Sequence, residues 1–276
     1  MIPIVDCNWH PDVAISDSAV VHILKCVYIQ PEMKASLVAA DLEKVREYAV
    51  TPGLGGLPQG IVAWCDMSPE AIERLSNTDY VSGLNIRPDS IESLNRCLEA
   101  VNSNNLTLDL DLSGLQAAQI EQVAQAVSKY PQVQTVLDSS KLGLKDKTLL
   151  KSRYQEILKH FHSLENVSIK ITGIGPVFYS GSGSGSDADA DADADADSSL
   201  GSVSDTDSEI ETNHLIKSTV NVWGADRVML ASHAVGNASG ETFDQLWTRY
   251  GQETLYLPTR ERESLLRSNA IRVYRL

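Results

Sequence analysis

The sequence predicts a (β/α)8 barrel, and three observations carry that expectation. Eight short β-rich runs occur along the chain, most of them separated by amphipathic stretches. Alternation repeated this often implies parallel strands joined by crossover helices. The 276 residues, less one low-complexity segment, leave about 250, the usual size of an eightfold barrel. No Gly-x-Gly-x-x-Gly follows an early strand, which weakens the alternative of a doubly wound open sheet.

Taken in order, the strand candidates are "IPIVDC", "VVHILKCVYIQ", "GIVAWCDM", "YVSGLNIR", "LTLDLDL", "QTVLDSS", "VSIKITGIG" and "RVMLASH". Most are short runs rich in apolar and β-branched residues with a polar residue at or near the end, the pattern of a buried parallel strand. The helical stretches "SLVAADLEKVREYAV", "DSIESLNRCLEAV", "GLQAAQIEQVAQAVSKY" and "YQEILKHFHSL" repeat their apolar residues every three and four positions. "HLIKSTVNVWG" and the closing "RERESLLRSNAIRVY" continue the alternation. The whole chain, 1–276, reads as a single barrel domain.

Residues 180–211 break the pattern with a Gly/Ser repeat followed by an Asp-Ala repeat. Such a segment has too little apolar surface to offset its ordering entropy and reads as a disordered acidic insert after strand 7. It also explains most of the net charge of −14. Ten acidic residues and no Lys or Arg fall between Tyr179 and Thr212; without them 27 acids face 23 bases, a net of −4. Long surface insertions cost little closure entropy. Replacing Gly181–Asp207 with a short Gly/Ser loop should therefore leave the melting temperature nearly unchanged, and a fall of several degrees would show that the segment packs on the body.

The body is only mildly acidic and has no basic stripe, which argues against a nucleic-acid partner. No apolar run is long enough for a transmembrane span, and the N-terminus lacks a signal-peptide pattern. Cys7, Cys26, Cys65 and Cys97 show no paired spacing and read as buried thiols in a reducing, cytoplasmic compartment. An acidic arm is suited to a basic protein partner.

In a barrel the functional residues stand where strands end. Those positions hold Asn8 and His10, Gln30, Asp66, Arg87, Asp109 and Asp111, Asp138 with Ser139, Lys170 with Thr172, and His233. Asn8 and His10, two apart, would project together from an extended first strand. Asp66 precedes "MSPEAIERL" and also fits a plain turn into a helix. Asp109 and Asp111 share one face of the fifth strand. Lys170 reads as an interior cation paired with one of the carboxylates.

The segments "DCNWH", "GIVAWCDM", "GLNIR", "YPQVQTVLDSS", "ENVSIKITGIG", "WGADRVMLASH" and "NAIRVYRL" resemble the amidohydrolase superfamily, in its amidohydrolase-2 branch of lactone hydrolases and decarboxylases. The resemblance implies a barrel like that of the metal-dependent hydrolases. It also implies a first strand ending in His-x-His, a "V-L-D" strand ending in His, and an eighth strand ending in Ser-Asp. The Asp of that pair serves as general base on water, with or without a divalent metal. Here the first His is Asn8, the second is His10, the "V-L-D" His is Ser139 and the Asp is His233. An amide and a hydroxyl are poor replacements for imidazoles at a transition-metal site, and catalytic zinc usually has three protein ligands. The expectation is a lactonase-like hydrolase with no tightly bound metal, with room for a weakly held divalent ion. His233, His10 and Asp138 would be catalytic; Asn8, Arg87, Asp109, Asp111, Ser139 and Lys170 would bind a small-molecule substrate. The alternative is an inactive barrel of the same descent, kept as a ligand-binding or scaffold protein.

Overall fold

Each apolar run pairs in parallel with the next, giving one eight-stranded sheet in the order β1 to β8. The computed structural model describes residues 2–9, 23–50, 58–141, 156–157, 159–172, 216–232 and 242–276. His10, His233 and the acidic insert at 180–211 lie outside the described residues. The strands are β1 Ile4–Trp9, β2 Ile23–Ile29, β3 Gly60–Cys65, β4 Gly83–Ile86, β5 Thr107–Leu110, β6 Thr135–Asp138, β7 Val167–Thr172 and β8 Val228–Ala231. Helices α1 Ala35–Val50, α2 Pro69–Ser76, α3 Ile91–Ser103 and α4 Ala117–Val127 follow β2, β3, β4 and β5. A parallel strand–helix–strand repeat of this kind forms the expected (β/α)8 barrel.

Local chemistry sets the helix starts. Ser68 and Ser90 accept the backbone N–H of Ala71 and Ser93 as N-caps of α2 and α3, and Pro69 opens α2. A helix at Phe243–Glu253 was not among the sequence expectations. Its signal is a capping box, in which Thr242 and Gln245 satisfy each other's backbone N–H groups.

Two apolar clusters follow from strand alternation. The larger one joins outward strand residues such as Tyr28, Leu84 and Leu108 to helix residues such as Leu42, Leu94 and Val123. The smaller one joins Val5, Cys7, Val27, Val62, Val136 and Met229 to Ala270, Val273 and Tyr274, and fills the barrel interior. All four cysteines are buried free thiols.

The closing "NAIRVYRL" is the barrel floor. Asn269 donates to the carbonyls of Ala225 and Val228, Arg272 to Asp226, and Arg275 to Asn105, all at or just before strand starts. Thr107, first residue of β5, donates its hydroxyl to the Val273 carbonyl. A Cβ at Gly60, first residue of β3, would lie 2.9 Å from Leu276, so glycine there makes room for the chain end. Gly83 is tighter: a Cβ would lie 2.7 Å from the Thr107 carbonyl oxygen of the neighbouring strand.

Strand β1 departs from expectation. It runs on to Trp9, with a register irregularity between Asp6 and Trp9, which pair with Cys26 and Tyr28 two residues apart. Three steps on β1 thus oppose two on β2. The irregularity is a bulge of β1 beside Asn8.

Candidate active site

At the centre of the barrel sits Lys170, fully buried. Its register partner on β6 is Asp138. The ammonium donates to Asp109 Oδ2 at 2.8 Å and lies 3.4 Å from Asp138 Oδ2, the Cys7 carbonyl and the Tyr274 hydroxyl. Tyr274 also lies 3.1 Å from both oxygens of Asp109. Burial by itself would lower the Lys170 ammonium, but Asp109, Tyr274 and Asp138 outweigh it and raise the group well above an ordinary lysine. Burial, with Asp109 beside it, likewise pushes the Tyr274 phenol well up.

The network climbs from floor to rim. Asp138 Oδ1 accepts the Ser140 N–H at 2.9 Å and its hydroxyl at 2.7 Å. Ser139 accepts the Thr172 N–H at 3.1 Å and so ties the end of β6 to β7. Asn8 is buried at the end of β1. Asp111, just past β5, takes two hydrogen bonds from Arg87, at 3.2 and 2.7 Å, and caps the Ser113 N–H. Arg87 also reaches Glu32 at 2.8 Å, and its side chain is 40% exposed. Burial lowers that guanidinium, and Asp111 with Glu32 more than restores it, leaving it raised.

Two strand-end candidates have structural partners. Gln30 donates to the Val38 carbonyl and Asp41 and accepts the Trp64 N–H, knitting β2, α1 and β3. Asp66 accepts the Ser68 N–H and hydroxyl, the turn into a helix that the sequence also allowed. The next residue, Met67, has φ 64, an αL conformation uncommon for a side chain of that size.

Sequence reasoning missed Tyr274, Asp6 and Ser232. Asp6 is fully buried, and its Oδ1 accepts the N–H of Asn8 at 3.1 Å and of Ser232 at 3.0 Å. The Ser232 hydroxyl contacts Asp6 Oδ2. Burial pushes this carboxyl up, against the opposing pull of those hydrogen bonds and of Lys170. The available signal was a lone Asp inside an apolar strand, which burial obliges to find partners.

The geometry is a buried ion network capped by a polar rim, with no group of three His, Cys, Asp or Glu side chains close enough to hold a metal among the described residues. No described helix is long and apolar enough to cross a membrane.

A family model described as amidohydrolase matches residues 50–276. Among solved structures, an amidohydrolase from Burkholderia multivorans with bound HEPES is similar at TM-score 0.68 and 14% identity, covering 99% of both chains. Another structure titled an amidohydrolase from that organism, with bound zinc, is similar at TM-score 0.65 and 15% identity over 92% of this chain and 84% of that one. A probable 2-pyrone-4,6-dicarboxylic acid hydrolase from Acinetobacter baumannii, with citric acid bound, is similar at TM-score 0.66 and 13% identity over 99% of each. At these identities the likeness shows the shared fold. No curated protein matches the sequence.

Proposed function

The chain belongs to the amidohydrolase family, and on that premise we propose that it cleaves a lactone, or a similar small cyclic ester or amide, by water attack without a tightly bound metal. The observation that carries this reading is the buried Lys170–Asp109–Asp138 network beneath the strand ends. A charge cluster of this kind is costly to bury, and buried perturbed groups gather at functional sites. Catalysis by water attack needs a base, an orienting group and a positive charge for the oxyanion.

His233 follows β8 by two residues and is the proposed base, since imidazole titrates near neutrality. His10, two residues beyond Asn8 in the chain, would assist it. Of the carboxylates suited to orienting the base, Asp109 is engaged by Lys170 and Tyr274, and Asp111 by Arg87. Asp138 at the end of β6 takes that role. Arg87, partly exposed, would hold a substrate carboxylate or the oxyanion, whereas Lys170 acts from beneath by fixing Asp138. Asn8 and Ser139 would present an amide and a hydroxyl to substrate.

A divalent metal fits this donor set poorly. The Ser139 hydroxyl oxygen already accepts a backbone N–H, and Asp138 Oδ1 already accepts two hydrogen bonds from Ser140. The purified protein should retain far less than one equivalent of zinc, manganese or iron after dialysis, and should hydrolyse at least one member of a panel of sugar-acid and ring-cleavage lactones with a chelator present. A stoichiometric metal that survives dialysis, or hydrolysis abolished by the chelator, would overturn the metal-free reading.

The departures at Asn8, Ser139 and His233 favour one second reading, an inactive barrel retained as a ligand-binding or scaffold protein. A lactone panel without turnover, with ligands bound unchanged, would put that reading first. In either case the chain is proposed to work in the cytoplasm on small molecules rather than nucleic acid, with a basic protein as the partner suited to its acidic insert.

A further inference from the structure

Seven strand junctions of the sheet are backbone ladders, β1–β2 through β7–β8. Among the described residues no such ladder joins β8 back to β1. The seam is bridged instead from side chains. Asp6 Oδ1 accepts the N–H groups of Asn8 and Ser232, Oδ2 meets the Ser232 hydroxyl, and that hydroxyl lies 3.4 Å from the Asn8 carbonyl. The Cys7 thiol donates to the Leu230 carbonyl at 3.8 Å. We propose that Asp6 is a positioning residue whose carboxyl latches β8 to β1 and so fixes the two strand ends that lead to the site. The inference rests on the reading above that those ends carry the chemistry.

The geometry has a consistent hydrogen-bond polarity. Oδ1 faces two backbone donors, so it acts as an acceptor. Oδ2 accepts the Ser232 hydroxyl, which also lies 3.4 Å from the Asn8 carbonyl. Among the described residues, the charged and titratable groups that act on Asp6 or feel its charge include Lys170 from β7, Cys7 on its own strand and Cys26 on β2. Lys170 is already engaged by Asp109. Burial raises the carboxyl, while the hydrogen bonds from Ser232 and Asn8 and the charge of Lys170 pull it down. One side chain thus satisfies two backbone N–H groups, one on each side of the seam. The latch also lies where β1 bulges, so it compensates a local loss of pairing.

Amide hydrogen exchange on the full chain tests this directly. In Asp6→Ala, exchange at Asn8 and Ser232 should accelerate about 100-fold or more, because both donors lose their acceptor, while amides of β3 to β5 stay within about threefold. Asp6→Asn keeps the Oδ1 acceptor and offers an N–H to Ser232, so both amides should stay within about tenfold of wild type. If Asp6→Ala does not fold, Ser232→Ala is read instead, with a smaller acceleration confined to β1 and β8. On a turned-over lactone, Asp6→Ala should lower kcat with little change in KM, and Asp6→Asn should restore it. Unchanged exchange at Asn8 and Ser232, uniform acceleration through every strand, or Asp6→Asn as damaging as Asp6→Ala would each overturn the latch. The exchange result stands without any substrate, so failure of the lactone panel would count against the hydrolase reading and not against the latch.

Discussion

Lys170→Met should destabilise the protein by about 3–5 kcal/mol, the range seen when one partner of a buried ion pair is removed and its charge is stranded. Methionine fills nearly the same volume and shape, so cavity formation adds little. The loss comes from Asp109, which keeps the Tyr274 hydroxyl but loses its cation at 2.8 Å. For a chain of this length the melting temperature should fall by roughly 10 °C. Adding Asp109→Asn to Lys170→Met should recover part of the fall, since the stranded charge goes with it. A change below 1 kcal/mol would mean that water reaches the cluster. The same group predicts behaviour in alkali. Its folded value is raised above the ordinary 10.5, so its contribution is fully present below that pH. It is lost as pH rises through the higher folded value. Denaturant midpoints should hold from neutrality up to the ordinary lysine range and fall beyond it, and Lys170→Met should lack its share of that fall.

The barrel was legible because each strand announces itself locally. "TVLD" and "VSIKIT" are apolar runs closing on a polar residue, and the single lysine among β-branched neighbours in "VSIKIT" already pointed to an interior cation with a carboxylate partner. That pairing is what Asp109 and Asp138 supply. The remainder of the network was not legible, for a physical reason. Tyr274 meets Lys170 across 104 residues and Asp109 across 165, and Ser232 meets Asp6 across 226. No local period carries such contacts. The floor formed by "NAIRVYRL" shows the same limit, since Asn269, Arg272 and Arg275 find their partners 44, 46 and 170 residues away. The bulge between Asp6 and Trp9 was likewise not legible, because it is set by register against β2 and not by the local sequence. The helix Phe243–Glu253 was concealed by its aromatic and polar composition, although the Thr242–Gln245 spacing marked its start.

His233→Asn should keep the fold and lower lactone turnover by roughly 10²–10⁴-fold, the usual contribution of a positioned general base. Asparagine is close to imidazole in reach and hydrogen-bonding ability, yet it cannot take up a proton near neutrality. The position follows Ser232, whose backbone is held by Asp6, so the strand end that delivers it is fixed. As the base loses its proton, the wild-type rate should rise with pH through a value near ~6.5. The limb should be absent from whatever rate survives in His233→Asn. Asp138→Asn should lower kcat by a smaller factor and shift that limb downward, because an imidazolium facing a carboxylate is stabilised and one facing an amide is not. His233→Asp would restore the residue usual in the family without restoring metal binding, since Asn8 and Ser139 still lack imidazoles. Rates measured from pH 5 to 9 decide the matter. Equal turnover in wild type and His233→Asn, or a flat wild-type profile, would remove His233 from the mechanism and leave the scaffold reading ahead.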